Sequence, residues 1–222
     1  MKTFTIIGGA DGVGKTSFFG VLSSIRSDVG VIFDGATEEQ KIYSCLEKGM
    51  NLTWETTLTE TIALRIVQRA RDLDYNVRLY YIGINSADES IERVKNRVRN
   101  GGSNIPTDEI EREFARRFND LGKISPFCNE VQFYDNENGF VKVAEYNNGA
   151  LVVKGEYAPD WIKRLAAYLS DANESNSTAV FNSIMTGLQE ALDFEEGKGI
   201  ASITRISAEP LPKKTENDLP ED

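Results

Sequence analysis

The 222-residue sequence predicts an α/β fold in which a mostly parallel sheet of five strands carries helices on both faces. Short apolar runs alternate along the chain with segments whose apolar residues recur at helical spacing. The run Val77–Gly83 is almost wholly apolar, which is typical of a parallel strand buried on both faces. A glycine-rich turn leaves the first apolar run, at the kind of strand end where α/β sheets bind ligands.

The elements follow one another in a regular order. A helix is expected to start at Thr16, directly after the glycine-rich turn. Ser86 and Glu89 form a capping box, which predicts a helix that ends at Gly101-Gly102. Thr107 starts another helix, with acidic residues in its first turn. The strands are predicted near residues 3–8, 29–34, 51–55, 77–83 and 130–135.

The last third of the chain adds a small β-hairpin and a C-terminal helical appendage. Residues 140–146 and 150–154 read as two strands joined by Asn147-Asn148-Gly149, and Pro159 opens a further helix. We expect a first domain over residues 1–170, a polar linker over 171–178, an amphipathic helix and strand over 179–208 and a disordered acidic tail over 209–222.

Composition excludes several classes of function. No histidine occurs, so histidine-based triads and histidine–metal sites are excluded. The net charge is −10, of which residues 171–222 carry −7, and this acidity argues against nucleic-acid binding. Cys45 and Cys128 fit neither a metal-binding spacing nor a disulfide framework. With no signal-peptide pattern and no long apolar run, we expect a cytoplasmic protein without a membrane partner.

The turn after the first strand matches a phosphate-binding loop. Residues 9–16 fit the pattern G-x-x-x-x-G-K-[ST]. Such a loop curls so that several N–H groups face one concavity, while its lysine adds a positive charge and its threonine serves magnesium. A dinucleotide-binding fingerprint is excluded, because Ser17 stands where the third glycine is required. Nucleotide binding is therefore predicted for Gly9, Ala10, Asp11, Gly12, Val13, Gly14, Lys15, Thr16 and Ser17.

Three further places offer side chains for phosphate chemistry. Asp34 ends the second strand, where a carboxylate accepts a proton from a hydroxyl or holds magnesium; alternatively it only caps a turn or helix. Glu55-Thr56-Thr57 ends the third strand and points into the same crevice; alternatively the threonines reflect β-propensity and the glutamate is exposed. The arginines from Arg93 to Arg117 supply cations for a transferred phosphoryl group, or else form a solvated helix face.

These residues share their order and spacing with a known family. They are the loop 9–16, Asp34, Trp54–Leu58, Glu92–Val98, Gly101–Pro106, Ile110, Arg112, Phe114, Arg116, Asn119 and Phe133–Asn136. In this order they resemble the zeta toxin kinases, in particular the short zeta-like branch, over roughly residues 3–170. Ser103 stands where the short relatives usually carry histidine. The resemblance implies a P-loop NTPase fold of the kinase type.

It also implies an activity. The expected reaction is ATP-dependent transfer of a phosphoryl group to a hydroxyl of a small anionic metabolite such as a UDP-activated amino sugar. The protein would be the toxin of a toxin–antitoxin pair, with an antitoxin protein as partner. By this resemblance Lys15 and Thr16 serve ATP and Mg²⁺, Asp34 is the base and a metal ligand, and Glu55 with Thr56 and Thr57 holds the substrate. Arg93 and one or more of Arg97, Arg112 and Arg116 clamp the phosphates.

Two other functions remain open at this stage. A metabolic kinase of the gluconate or shikimate type would use the same fold without any toxic role. A nucleotide-dependent interaction protein would bind ATP with little turnover. The sequence does not separate these alternatives, because the specificity of such a fold lies in the shape of its pocket.

Overall fold

In the computed structural model, residues 1–35, 38–147, 149–172 and 185–186 are described. Residues Met1–Asn173 form one compact unit, and Glu174–Asp222 form a second. The predicted linker, helix-and-strand appendage and acidic tail lie outside the described residues except for 171–172 and 185–186. Within the described residues, every helix is too short or too polar to cross a membrane.

A sheet of seven strands forms the centre of the first unit over the described residues, in the order β2-β3-β1-β4-β5-β6-β7. Strands β1 to β5 run parallel, and β6 and β7 run antiparallel. The predicted hairpin is therefore not a separate extension: β6 pairs with β5, so the parallel sheet continues into the hairpin. The strands are β1 (Thr3–Gly8), β2 (Val31–Asp34), β3 (Leu52–Thr56), β4 (Asn76–Gly83), β5 (Glu130–Asp135), β6 (Val141–Asn147) and β7 (Ala150–Val153).

The helices bury one apolar stripe each against the sheet. They are α1 (Lys15–Ile25), α2 (Glu39–Glu47), α3 (Glu60–Asp72), α4 (Ala87–Arg99), α5 (Thr107–Ile124) and α6 over residues 160–172. Helices α1 and α4 share a core cluster with Ile7 and Ile82 of the sheet. Helices α2, α3 and α6 share the other cluster, which contains Ile6 and Leu79. The alternation of adjacent residues between the two clusters follows from the period of two along a strand.

Helix α5 belongs to both clusters. Its first half contributes Ile110 and Phe114 to the cluster beside α1 and α4. Its second half contributes Leu121 and Ile124 to the cluster on the other face. The predicted start of α4 is confirmed, because the Ser86 hydroxyl accepts a hydrogen bond from the backbone N–H of Glu89 at 3.2 Å.

Helix α6 is fixed to the carboxyl end of β5. Trp161 is fully buried, and its indole Nε1–H donates to the Asp135 carboxylate at 2.8 Å. Its ring contacts the rings of Tyr81 and Phe133. A Cβ on Gly83 would lie 2.5 Å from this indole, so the end of β4 needs glycine to admit the ring. The helix thereby holds the strand end from which Asn136 follows.

Candidate active site

The phosphate-binding loop connects β1 to α1, and its two motif glycines adopt conformations that other residues avoid. Gly9 has φ +148° and Gly14 has φ +99°. A Cβ on Gly9 would lie 2.5 Å from the carbonyl oxygen of Ile82, and one on Gly14 would lie 2.6 Å from Asn136 Nδ2. Both positions therefore exclude a side chain by strain and by contact.

Three neighbouring elements hold this loop in place. Asn136, directly after β5, donates its side-chain N–H to the carbonyl oxygen of Val13 at 2.8 Å. Ser90 of α4 donates its hydroxyl to the carbonyl oxygen of Asp11. The backbone N–H of Asp11 donates to the Glu113 carboxylate of α5 at 2.9 Å. The loop is thus tied to β5, α4 and α5 through side chains outside its own motif.

Lys15 and Thr16 both face polar partners at the loop. Lys15 Nζ donates to the carbonyl oxygens of Gly9 and Ala10 at 2.9 and 3.1 Å and lies 3.3 Å from the Asp11 carboxylate. The Thr16 hydroxyl donates to Glu55 Oε2 at 2.8 Å. The two residues are therefore directed into the space between the loop and the ends of the neighbouring strands.

Two carboxylates meet at the carboxyl ends of β2 and β3. Asp34 lies opposite Glu55 in the register of the two parallel strands. The turn after β2 is fixed, because Gly35 donates its N–H to the Glu55 carbonyl at 3.0 Å and accepts from the Trp54 indole at 2.9 Å. Asp34 is exposed, whereas the Glu55 residue is only 4% exposed. The alternative of an exposed Glu55 is therefore wrong.

Burial raises the pKa of Glu55 above its ordinary value. The hydrogen bond from Thr16 lowers this pKa, the negative charge of Asp34 raises it, and the ammonium of Lys15 lowers it. A carboxylate kept out of water beside a phosphate loop has an energetic cost in the free protein. Such a cost is typical of a group that serves a ligand.

A cavity of about 520 Å³ lies between the loop, the ends of β2 and β3, and helices α4 and α5. Gly9, Ala10 and Val13 do not line it, and the last two are buried behind the loop at 3% and 1% exposure. Of the residues predicted from the sequence, those that line it are Asp11, Gly12, Gly14, Lys15, Thr16, Ser17, Asp34, Glu55, Thr56, Thr57, Arg93 and Arg97.

The arginines divide into two groups. Arg93 donates to Glu89 at 2.5 Å and to the carbonyl oxygen of Asn136 at 2.6 Å, and it lines the cavity. Arg97 also lines the cavity, and its Nε–H donates to the carbonyl oxygen of Ser103 at 3.0 Å. Helix α4 therefore presents both of its predicted arginines to the site.

Arg112 and Arg116 do not line the cavity. The Arg112 side chain is 64% exposed and pairs with Asp108 at 2.7 Å. Arg116 donates to the Thr59 hydroxyl at 3.1 Å and pairs with Asp120 at 3.3 Å. Helical spacing does not separate them from the loop-facing positions, since 109, 112, 113 and 116 lie within one broad side of α5. The arginine side chains are instead held away from the cavity by their partners, which are Asp108 for Arg112 and Thr59 with Asp120 for Arg116.

The α5 side chains that line the cavity are both acidic, and they were not predicted from the sequence. Glu109 is exposed and lines the cavity, and Glu113 lines it while only 4% exposed. Burial raises the pKa of Glu113. One signal for Glu113 was present in the sequence, since it lies three residues after Ile110 and directly before Phe114, within the apolar stripe of the helix.

The residues present fit a magnesium ion. The Thr16 hydroxyl, the Asp34 carboxylate and the neighbouring Glu55 carboxylate are oxygen groups of the kind that Mg²⁺ prefers. The described residues contain no cluster of three or more His, Cys, Asp or Glu side chains that could hold a metal ion. In the usual magnesium site of this kind, one or two carboxylates and the phosphates of the nucleotide share the ion.

Comparison with solved structures gives the fold. A chain of the PezAT chromosomal toxin–antitoxin system of Streptococcus pneumoniae is similar at 16% identity, over 77% of this chain and 85% of that one, with a TM-score of 0.50. The AvrRxo1-ORF1:AvrRxo1-ORF2 complex with sulphate ions is similar at 13% identity, over 75% of this chain and 64% of that one, with a TM-score of 0.49. The AvrRxo1-ORF1:-ORF2 complex with ATP matches at 14% identity over 69% of this chain, with a TM-score of 0.48.

The match therefore spans less than two thirds of the AvrRxo1-ORF1:-ORF2 chains, at 64% and 61% of their length. Comparison with protein-family models finds no match, and neither does comparison with curated proteins. The similarity to the PezAT chain and the order of the strands confirm the α/β fold with a phosphate loop after β1 that the sequence predicted.

Proposed function

We propose that the protein is an ATP-dependent phosphotransferase of the zeta toxin type, acting on a hydroxyl of a small anionic metabolite. One observation carries this proposal. A single cavity joins a complete phosphate-binding loop to carboxylates from two strand ends and to two arginines of α4. Phosphoryl transfer requires these three kinds of group: a cradle for phosphates, a base for the acceptor, and cations for the developing charge.

The loop and α4 serve the phosphates of ATP in this proposal. The backbone N–H groups at the start of α1 and the Lys15 ammonium hold the phosphate chain. Arg93 and Arg97 stabilise negative charge that develops on the transferred group, since a guanidinium matches phosphate oxygens in its planar geometry. In this proposal Thr16, Asp34 and Glu55, which line the cavity, would hold Mg²⁺, and the ion would neutralise phosphate charge.

Asp34 is the proposed base. The hydroxyl oxygen of the acceptor forms a bond to the γ-phosphorus, and the bond from that phosphorus to the oxygen shared with the β-phosphate breaks. ADP leaves with the electron pair of that bond, and the proton of the hydroxyl passes to the Asp34 carboxylate. The exposure of Asp34 at the cavity supports this role, because the base must reach a bound acceptor.

The acceptor class rests on the resemblance of the sequence. A UDP-activated amino sugar is the candidate that the zeta-like motifs favour, with Glu55, Thr56 and Thr57 on the acceptor side of the cavity. A cavity of about 520 Å³ lies within the usual range of small-molecule sites. The PezAT neighbour comes from a toxin–antitoxin system, which supports a toxic role and an antitoxin partner for this chain.

The test is phosphoryl transfer from labelled ATP to a panel of UDP-activated sugars with and without amino groups. The wild type is expected to label an amino-sugar member. Asp34→Asn is expected to reduce kcat by about 10²–10⁴-fold with ATP binding retained, because a general base contributes that factor. Arg112→Gln serves as a control, since it removes a charge outside the cavity and is expected to leave transfer unchanged.

The outcomes separate the alternatives. ATP binding without transfer to any acceptor would favour a nucleotide-dependent interaction protein. Transfer to a small metabolite without growth arrest on expression would favour a metabolic kinase. Absence of ATP binding would contradict the proposal as a whole.

A further inference from the structure

The carboxylate of Glu113, on α5, lies against the phosphate loop at a position where an anion from a ligand is expected. Its carboxylate accepts the backbone N–H of Asp11 at 2.9 Å, and the residue is only 4% exposed. Backbone N–H groups of such a loop ordinarily turn toward phosphate oxygens. In the free protein one of these donors is instead satisfied by a carboxylate from α5.

The position of Lys15 indicates which phosphate of a bound nucleotide would lie nearest the Asp11 N–H. The lysine of such loops reaches the β- and γ-phosphates, whereas the α- and β-phosphates lie against the start of the following helix. Lys15 Nζ lies 2.9 Å from the carbonyl oxygen of Gly9 and 3.3 Å from the Asp11 carboxylate. The Asp11 end of the loop is therefore the γ-phosphate end.

The surroundings strengthen the effect of this carboxylate. Among the described residues that line the cavity, the acids Asp11, Asp34, Glu55, Glu109 and Glu113 outnumber the bases Lys15, Arg93 and Arg97. A triphosphate that enters this cavity meets a net negative lining. The outermost phosphate carries the most charge and approaches Glu113, so repulsion falls mainly on that phosphate.

We propose that Glu113 is a specificity-determining residue that competes with the terminal phosphate of the nucleotide for the phosphate loop. The inference rests on the proposed function and deepens it. A triphosphate displaces or neutralises this carboxylate when it binds, whereas a diphosphate leaves it on the Asp11 N–H. Glu113 thus weakens ATP binding relative to ADP binding.

A dependence on pH follows from the same contact. Burial raises the pKa of Glu113, and the charge of the Asp11 side chain also raises it. The N–H of Asp11 and the positive charges of Lys15 and Arg116 lower it. When pH falls toward this pKa, protonation removes the competing charge, so the affinity of the wild type for ATP increases. When pH rises, the carboxylate is ionised and the affinity decreases.

The experiment is calorimetric titration of the full chain with Mg·ATP and Mg·ADP between pH 5.5 and about 8.5. The variant Glu113→Gln keeps an acceptor for the Asp11 N–H and removes only the charge. The matched control is Glu109→Gln, which removes an equal charge from the same cavity at an exposed position without the bond to the loop. Thermal unfolding without nucleotide checks that both variants fold.

Glu113→Gln is expected to tighten ATP binding by about 10- to 100-fold at pH 8, with a gain of about threefold or less for ADP. The dependence of ATP affinity on pH is expected to shrink in this variant and to persist in Glu109→Gln. Equal effects of the two substitutions, or equal gains for ATP and ADP, would overturn the inference and leave the proposed function intact. Absence of nucleotide binding in both the wild type and Glu113→Gln would overturn both.

Discussion

The contact between Trp161 and Asp135 predicts a measurable loss of stability when its hydrogen bond is removed. Trp161→Phe keeps an aromatic ring between Tyr81 and Phe133 but deletes the N–H that donates to the buried Asp135 carboxylate at 2.8 Å. Asp135 is 2% exposed, so water cannot readily replace the lost donor. Two donors remain in the described part of the chain, both on the other carboxylate oxygen: the Tyr157 hydroxyl at 3.2 Å and the backbone N–H of Glu137 at 3.1 Å.

The magnitude follows from two contributions. A hydrogen bond to a charged group contributes about 1.5–3 kcal/mol to stability. The smaller phenyl ring leaves unfilled space at a fully buried position, which costs about 1 kcal/mol more. The free energy of unfolding should therefore fall by about 2.5–4 kcal/mol. For a unit of this size that corresponds to a decrease in Tm of about 5–15 °C.

Urea denaturation followed by circular dichroism measures this loss. Tyr168→Phe is the control on the same helix, because Tyr168 is partly exposed and its ring contacts only Phe118 among the aromatic rings of the described residues. This variant should unfold within about 0.5 kcal/mol of the wild type. A double-mutant cycle with Asp135→Asn should give a coupling energy of about 1–2 kcal/mol. A loss below about 0.5 kcal/mol for Trp161→Phe, or no coupling with position 135, would refute the reasoning.

Two further predictions concern the cavity. Glu55→Gln should raise the free energy of unfolding at neutral pH. The pKa of Glu55 is raised in the folded protein, so between the unfolded-state and folded-state pKa values the native state binds more protons than the unfolded state. The stability of the wild type therefore falls as pH rises through that interval, whereas the variant has no such loss. Urea denaturation at pH 4 and 7.5 should show that the free energies of unfolding of the wild type and the variant differ at the higher pH only. An equal difference at both pH values would contradict an effect of the ionised Glu55 carboxylate. Arg97→Ala should raise the KM for ATP by about tenfold, whereas Arg112→Ala should change it by less than about twofold, because only the former lines the cavity. Steady-state kinetics decide this, and the reverse ranking would show that α5 turns its arginines toward the nucleotide.

The parallel sheet was predictable because its signals are local. The buried run Val77–Gly83 became β4, and Glu130–Asp135 became β5 with the predicted bounds. The attachment of the hairpin to the edge of β5 was not predictable in the same way. A turn signal such as Asn147-Asn148-Gly149 fixes how two strands pair with each other, but not which third strand they join.

The candidate site likewise contains residues that the sequence predicted and residues that it did not. The loop motif and the strand-end carboxylates were found from spacing and position, since parallel strands bring their carboxyl ends to one edge. The arginines of α5 were assigned by charge alone. Both arginines share a broad side of α5 with the cavity-lining Glu109, so helical spacing does not tell them apart from it. What keeps them out of the cavity is the partner that each one contacts, and the contact of Arg116 with Thr59 is a tertiary property.

The role of Asn136 was also beyond the sequence. Its side chain contacts Val13, which lies 123 positions earlier in the chain. A contact of this kind has no local pattern, because it depends on the position of β5 relative to the phosphate loop. The same holds for the bond between Glu113 and the Asp11 N–H, which joins residues 102 positions apart.

The central claim is that this cavity transfers a phosphoryl group from ATP to a small metabolite. The most direct measurement is mass spectrometry of a bacterial metabolite extract after incubation with ATP and either the wild type or Lys15→Met. We expect one or a few anionic metabolites to gain a single phosphoryl group with the wild type, and this gain to fall by about 100-fold or more in the variant, which lacks the ammonium at the phosphate loop. A wild type that consumes no ATP and modifies no metabolite, or a Lys15→Met variant that modifies the same metabolites at the same rate, would contradict the claim.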